Sequence, residues 1–597
     1  MIRHMTIYMA VVLMLLAGAA AAQEEKDTAK GIIGEVKKFS EKDNFFSRLL
    51  RNIFVTDESD EQERNQDIYR QFSRYSGRII RNVEITVLDV FGPTIRRPEE
   101  HARSWLQKTG NSLHVNTREW VVRERLFFKP GEKLNPYNLA ESERLLRENG
   151  YIYDARIVPA GVPHSSDSVD VHVYVQDVWS ISGDAAYSSQ ASTGMLKLKD
   201  INFMGLGGEL FGAIKYDRTG SRKYLWDGGI TANNYGRYYL GGSVYHFAAD
   251  THRVYGVRIN RDFYSPVVRY AGGVSVEAEQ MQIRQNPVSA PVDYFRLVRY
   301  DFWAGYAFDF KPFNINAVNQ NRLNFAVRLL RTNYEFISDM DTAGIFETNN
   351  FYLFRLGYAQ RKFLKGSHIF GLGRTEDIPI GGTVELLYGF SRGRRDNPDY
   401  YGMRLGRAMF GSKGYLFGGL QAGGYHNGYR FRNAALSLEM FYFTPLLPAL
   451  GAEWRNYIWL RYGYLYDPKH ETLALDINNE MGIRGYSAAR TGIRRLTLNF
   501  ENNIFLPINI MGFKTALITF ADYAFISGEG VKLLNTRLFQ GYGIGLRIRN
   551  EHLVFPIIRL MIAFYPSDDR FRLFTLKNVY YRMNNFQFSR PETVSFY

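Results

Sequence analysis

The sequence predicts a mainly β fold, an antiparallel transmembrane β-barrel of about 16 strands preceded by one small N-terminal α/β domain. Three observations predict it. Apolar and polar residues alternate with a period of two through residues 178–597, the pattern of a wall with one face in hydrocarbon and the other in water. The chain carries 41 Tyr, 43 Phe and 54 Gly against 19 Pro and no Cys, and no apolar run beyond residue 22 is long enough for a membrane helix. Residues 77–177 have a different texture, reading strand–helix–helix–strand–strand.

Residues 1–22 read as a secretory signal peptide. Arg3 and His4 give a basic start, Ile7 to Leu16 is too short to span a bilayer, and Ala20-Ala21-Ala22 supplies small residues for cleavage. Residues 23–76 are charged and read as a linker with short helices, spaced by Ile33, Val36 and Phe39, then Phe46, Leu49, Leu50 and Ile53. Without cysteine the mature chain has neither disulfides nor a thiol-linked lipid, although the leader sends it to a disulfide-permissive compartment.

In residues 77–177, Ile79 to Val87 alternate as a strand and Thr117 to Phe128 have helical spacing. Lys129-Pro130-Gly131 makes a turn. Asn135 caps a second helix that opens on Pro136 and stops at Gly150. Tyr151 to Val158 and Val169 to Val175 form the remaining strands, and residues 90–116 stand apart as an insertion. This order, with the Gly150-Tyr151 step after the second helix, resembles a POTRA domain. The resemblance implies a periplasmic docking surface whose strand edge can pair with an unfolded client protein.

From Val178 onward strand follows strand. Leu496, Leu498 and Phe500 alternate with Arg495, Thr497, Asn499 and Glu501, while Ile558, Leu560, Ile562 and Phe564 alternate with Arg559, Met561 and Ala563. About 16 strands fit residues 178–597 if each takes about 10 residues and loops vary in length. An even number is expected because both ends of the barrel must meet in one compartment.

Four segments in this region carry a more specific signal. Asn202-Phe203-Met204-Gly205-Leu206-Gly207 reads as the turn of the first barrel hairpin, into the second strand. Ile483-Arg484-Gly485-Tyr486 joins an arginine to a flexible glycine and an aromatic. Leu498-Asn499-Phe500-Glu501 turns a carboxylate inward, and Phe520-Ala521-Asp522-Tyr523-Ala524 offers another. Together with the single α/β domain, they resemble the outer-membrane assembly and translocation superfamily that includes BamA, TamA and the two-partner secretion transporters. The resemblance implies a loop folded back into the barrel, with Arg484 clasped by Asp522 or Glu501, Gly485 allowing close approach and Tyr486 stacked beside the arginine. Ala524 stands where the family has glycine. A terminal aromatic and the Phe586-x-Phe588 pair resemble a closing strand, so Phe586, Phe588, Pro591 and Phe596 mark a seam with the first strand. Pro591 would remove one of its ladder bonds.

Other signals are weak. Gly389-Phe390-Ser391-Arg392-Gly393 has the spacing of a nucleophile elbow but lacks the strand–turn–helix setting. The 11 histidines are scattered, and neither a metal, a cofactor nor a catalytic constellation is legible. The charge of +14 suits a basic lumen or contact with anionic lipid; the leader argues against nucleic acid. The expected function is therefore non-enzymatic: assistance to the insertion or translocation of other proteins at a Gram-negative outer membrane, as a TamA-like accessory insertase. The alternatives are a dedicated two-partner-type secretion pore and a barrel that handles lipid or anchors a complex. Expected partners are the lipid bilayer, unfolded clients and accessory periplasmic or membrane subunits.

Overall fold

The computed structural model describes residues 68–594 apart from 163–166, 189–192, 219, 221, 237, 284–292, 310–319, 337–347, 394–396, 450, 469–473, 479–481, 489, 511, 551, 554–557 and 577–582. The leader, most of the linker and Phe596 lie outside the described residues.

The N-terminal domain comprises β1 (Ile79–Leu88), α1 (Trp105–Leu113), α2 (Glu119–Arg123), α3 (Pro136–Glu148), β2 (Ile152–Gly161) and β3 (Ser168–Asp177). Its sheet runs β1-β3-β2, with β3 central, parallel to β1 and antiparallel to β2. The central strand buries Val169, Val171, Val173 and Val175, packing them with Leu139 and Leu146 of α3. Asn135 caps α3 by accepting from the Tyr137 N–H at 3.0 Å, and Pro136 occupies the first turn, where a missing donor costs nothing. The insertion holds α1, opened by a capping box between Ser104 and Gln107. The helical spacing of residues 117–128 yields only the five residues of α2. Tertiary contacts override it. Arg125 reaches Asn149 Oδ1 at 2.7 Å and the Asn233 carbonyl at 3.1 Å, and Phe127 stacks on Tyr239 and Tyr264 of the barrel rim.

The remaining strands close into one antiparallel barrel in which Arg570–Leu576 lies beside Ile181–Ser188. Its order contains 21 segments, one of them the three-residue Leu447–Ala449, which leaves twenty full strands among the described residues. The expected 16 is thus too few. Connections are tighter than that count allowed: Gly411 pairs with Gly414 and Ile510 with Phe513, so two residues suffice to reverse the chain.

The wall follows the alternation. Leu498 and Phe500 are 39% and 38% exposed, whereas Thr497, Asn499 and Glu501 between and beside them are buried in the lumen. Leu196, Ile214, Trp226, Ile230, Val257, Phe302, Ile544 and Ile562 are each at least 50% exposed. A band of this kind is too large and too apolar for water, so the outer surface is a lipid-facing one. No described helix is long and apolar enough to cross a membrane.

The N-terminal domain covers one mouth of the barrel. Residues 139–147 of α3 are buried throughout, with one side on the sheet and the other on the rim. Glu141 pairs with Arg144 at 2.7 Å and faces Arg361 at 3.5 Å. Glu143 meets Arg147 at 2.7 Å and Lys365 at 2.5 Å, and Arg147 also clasps Asp377 at 2.6 Å. Burial alone would raise both glutamate pKa values. The facing cations outweigh it and hold both below the ordinary carboxylate range. Phe363 of the rim joins the domain core, with the Arg144 guanidinium 4.3 Å from its ring centre.

Candidate functional site

The long connection between strands Ala452–Tyr466 and Arg494–Ile510 folds into the lumen, and a short pairing of Leu475 and Asp476 with Gly492 and Thr491 draws its arms together. At its tip Ile483, Arg484 and Tyr486 are buried. Arg484 is fully enclosed. Its Nε donates to Asp522 Oδ2 at 3.0 Å and its Nη2 to Asp522 Oδ1 at 2.7 Å, the two-pronged geometry that a guanidinium offers a carboxylate. Nη1 donates to Glu501, Nη2 also reaches the Phe500 carbonyl at 3.1 Å, and the backbone N–H of Arg484 adds a bond to Asp522 at 3.0 Å.

Strand parity places these acceptors. Glu501 and Asn499 face inward from Arg494–Ile510, and Phe520, Asp522 and Ala524 do so from the neighbouring strand Phe513–Ser527. Asn499 Nδ2 donates to Asp522 Oδ1 at 2.9 Å and to the Gly482 carbonyl at 2.7 Å, so it orients the acid and holds the loop together. Sequence reasoning left Asn499 out, although it shares the parity of Glu501. The flat partner of the guanidinium is Phe520, with Arg484 Cζ 4.3 Å from its ring centre. Tyr486 does not stack on the arginine. It meets Tyr565 and Phe539 edge-on at 5.6 and 6.0 Å, because Gly485 turns the chain away from Arg484.

Gly485 adopts φ +73°, and a Cβ there would sit 2.5 Å from Tyr565 Oη and from the Phe574 ring. The tip is tied down on this side as well: Tyr565 Oη donates to the Arg484 carbonyl at 2.7 Å, and Arg572 to that of Gly485 at 2.7 Å. Ala524 sits in regular ladder between Thr497 and Phe539, so the glycine it replaces is not needed for the local backbone.

The turn at 202–207 lies between strands Thr193–Asp200 and Gly208–Asp217, which makes it the turn after the second barrel strand rather than the first. It docks on the N-terminal domain. Asn202 accepts from the Gly207 N–H at 2.8 Å and donates to Thr117 Oγ1 at 2.9 Å. Thr117 in turn donates from its N–H and its hydroxyl to Asp177, at 2.6 and 2.8 Å. The Arg118 N–H bonds the Gly205 carbonyl at 3.0 Å, and Phe203 opens the helical turn between them. Asp177 and Thr117 escaped sequence reasoning, since neither has a spacing that marks it.

The seam assignment needs correction. Phe586, Phe588 and Pro591 belong to no strand, and Phe586 and Phe588 are buried inside the barrel. The segment leaves the wall because its backbone finds side-chain partners there: Arg355 reaches the Ser589 carbonyl at 2.6 Å and Arg328 that of Pro591 at 3.0 Å. Pro591 therefore removes no ladder bond. Ser391 lies within strand Glu376–Arg392, so the elbow-like spacing has no turn to act from.

No family model and no curated protein matches the chain. Solved structures do. CdiB from Escherichia coli matches at 11% identity over 84% of this chain and 76% of its own, with a TM-score of 0.40. CdiB from Acinetobacter baumannii matches at 11% over 91% and 97%, with a TM-score of 0.38. BamA from Haemophilus ducreyi lacking POTRA domains 1–3 matches at 10% identity over 83% of each chain, with a TM-score of 0.32.

Proposed function

We propose that this protein is a member of the outer-membrane assembly and translocation superfamily, with its α/β domain a periplasmic POTRA domain, and that it assists the insertion or translocation of other proteins. The observation that carries the reading is the buried clasp of Arg484 on Asp522 and Glu501 at the tip of an infolded loop. Ile477, Ile483 and Tyr486 of the loop pack in one apolar cluster with Ile518, Phe520, Phe539 and Met561 of the wall, and the directional ionic anchor beside them orients the tip. The exposed apolar band supports a bilayer as the surrounding medium, and the edge of β2, or that of β1 past Ile80, where residues 131–134 no longer pair with it, can accept a client strand. No nucleotide or ion gradient is at hand in such a compartment. The work comes from the client's own folding, and the barrel lowers its barrier by aligning strands and disturbing lipid.

Depletion followed by outer-membrane proteomics tests this. A fall in several unrelated barrel or surface proteins fits a TamA-like accessory role, whereas an unchanged profile rejects assistance to insertion. A dedicated secretion pore is the second reading, favoured by the non-strand segment lodged in the lumen. Loss of one secreted protein alone would select it.

A further inference from the structure

Residues 583–594 occupy a strip of the inner wall, and the contacts fall into two kinds. Most are made to backbone. Arg355 donates to the Ser589 carbonyl at 2.6 Å and Arg328 to that of Pro591 at 3.0 Å; Arg404 donates to those of Glu592 and Thr593, both at 2.9 Å. The Val594 N–H donates to Tyr400 Oη at 2.6 Å. Such bonds are blind to sequence, because every residue carries a carbonyl.

The side-chain contacts are fewer. Phe588 fills a hollow left by Gly357, where a Cβ would stand 2.5 Å from its ring, and Arg355 lies 4.9 Å from the ring centre. Phe586, two residues earlier, rests near Phe417 with ring centres 6.3 Å apart. Arg590 pairs with Asp301 at 2.5 Å, the one charge-specific contact among these.

The arginines are held by the wall itself. Arg328 grips Asp301 through two bonds of 2.8 Å, Arg355 bonds Asn324 Oδ1 at 2.8 Å and Arg404 bonds Glu385. Their donors are therefore oriented without help from the segment, as in a preorganised site. A cavity of about 450 Å³, lined by Glu385, Gln421, Glu439 and Arg461, adjoins the segment and gives it room to leave.

We propose that this strip is a polypeptide-binding groove, that residues 583–594 are its occupant here, and that its exchange partner is an unfolded protein segment with aromatic residues two positions apart. Alternating aromatics are the pattern of membrane-barrel strands, so the groove fits the clients that a barrel-assembly protein handles. The nature of the partner rests on the function proposed above; the binding of peptide to the groove does not.

Planar-bilayer conductance tests it. A variant lacking residues 583–597 conducts more than the full chain, and a synthetic peptide of residues 583–597 reverses the gain. A peptide scrambled except for Phe586 and Phe588 also reverses it, and one carrying Phe586→Ser and Phe588→Ser does not. Unchanged conductance on deletion overturns the proposal, and so does closure by the native peptide alone, which would mark a dedicated stopper. Should the deletion variant fail to fold, Gly357→Ala in the full chain gives the second arm. Its added carbon displaces Phe588 and raises conductance in a barrel that still shifts on heating in gels; parental conductance there overturns the groove. If depletion proteomics is negative while peptides still close the pore, the client reading falls and the groove stands. The converse result removes the groove alone.

Discussion

Removing the Arg484 side chain takes a bonded guanidinium from two enclosed carboxylates at once. Asp522 keeps the Arg484 backbone N–H and Asn499 Nδ2, while Glu501 loses the guanidinium. Breaking a buried ion pair from one side typically costs about 3–5 kcal/mol. The upper part of that range applies, because Arg484 and Asp522 are both fully shielded from solvent. The cost falls on the loop rather than the wall, since Asn499 and Asp522 remain in a continuous ladder. A penalty of that size multiplies the opening equilibrium of the loop by about three to three and a half decades, at about 1.4 kcal/mol per decade. Native-state hydrogen exchange reads it directly at the amides of Arg484 and Tyr486, which are bonded to Asp522 and the Ile483 carbonyl. Arg484→Ala should accelerate both strongly while amides of strand Phe513–Ser527 change little. Asp522→Asn in the same chain should recover part of the loss, because it removes a stranded charge. Exchange in the loop that stays within a few-fold of the parent, or strictly additive single and double variants, would refute the clasp.

Other expectations follow from the same geometry. Gly485→Ala forces a Cβ against Tyr565 at a positive φ, so it should cost about 1–3 kcal/mol of loop stability, visible as faster proteolysis between residues 467 and 493. Asp177→Ala removes the acceptor shared by Thr117 and His114 and should loosen the N-terminal domain from the 202–207 turn by about 1–3 kcal/mol, measured by the rate of protease release of that domain. Acid should undock the domain. Because Glu141 and Glu143 titrate below their unfolded values, their contribution is complete above about pH 4.3 and is lost as pH falls through their lowered folded values. Glu143→Gln should blunt that step in a pH series of crosslinking between domain and rim. Pro591→Ala, in a segment outside the wall, should leave the thermal midpoint of the barrel unchanged in gel-shift assays.

The barrel and the clasp were legible because both are parity effects. An inward acid on one strand and an inward acid on its neighbour are fixed by counting in twos, and Arg484 needed only a loop able to reach them. What lay outside the sequence was long-range choice. Nothing local distinguishes Phe586-x-Phe588 as the start of a strand from the same residues as ligands of a groove; the decision rests with Arg355, Arg328 and Arg404, some two hundred residues away along the chain. The same applies to α2. Its helical spacing is real, but Arg125 and Phe127 are drawn to the barrel rim, and the helix stops before them. Strand number failed for a plainer reason, since hairpins as tight as that of Gly411 and Gly414 are compatible with many loop sequences.

The stopper across the barrel mouth is fastened by charge. Glu141, Glu143, Arg144 and Arg147 sit where a permanent seal would place leucines. Parted from the rim, α3 would present ions that water hydrates eagerly beside Leu145, which joins the rim cluster of Tyr239, Phe263 and Tyr264.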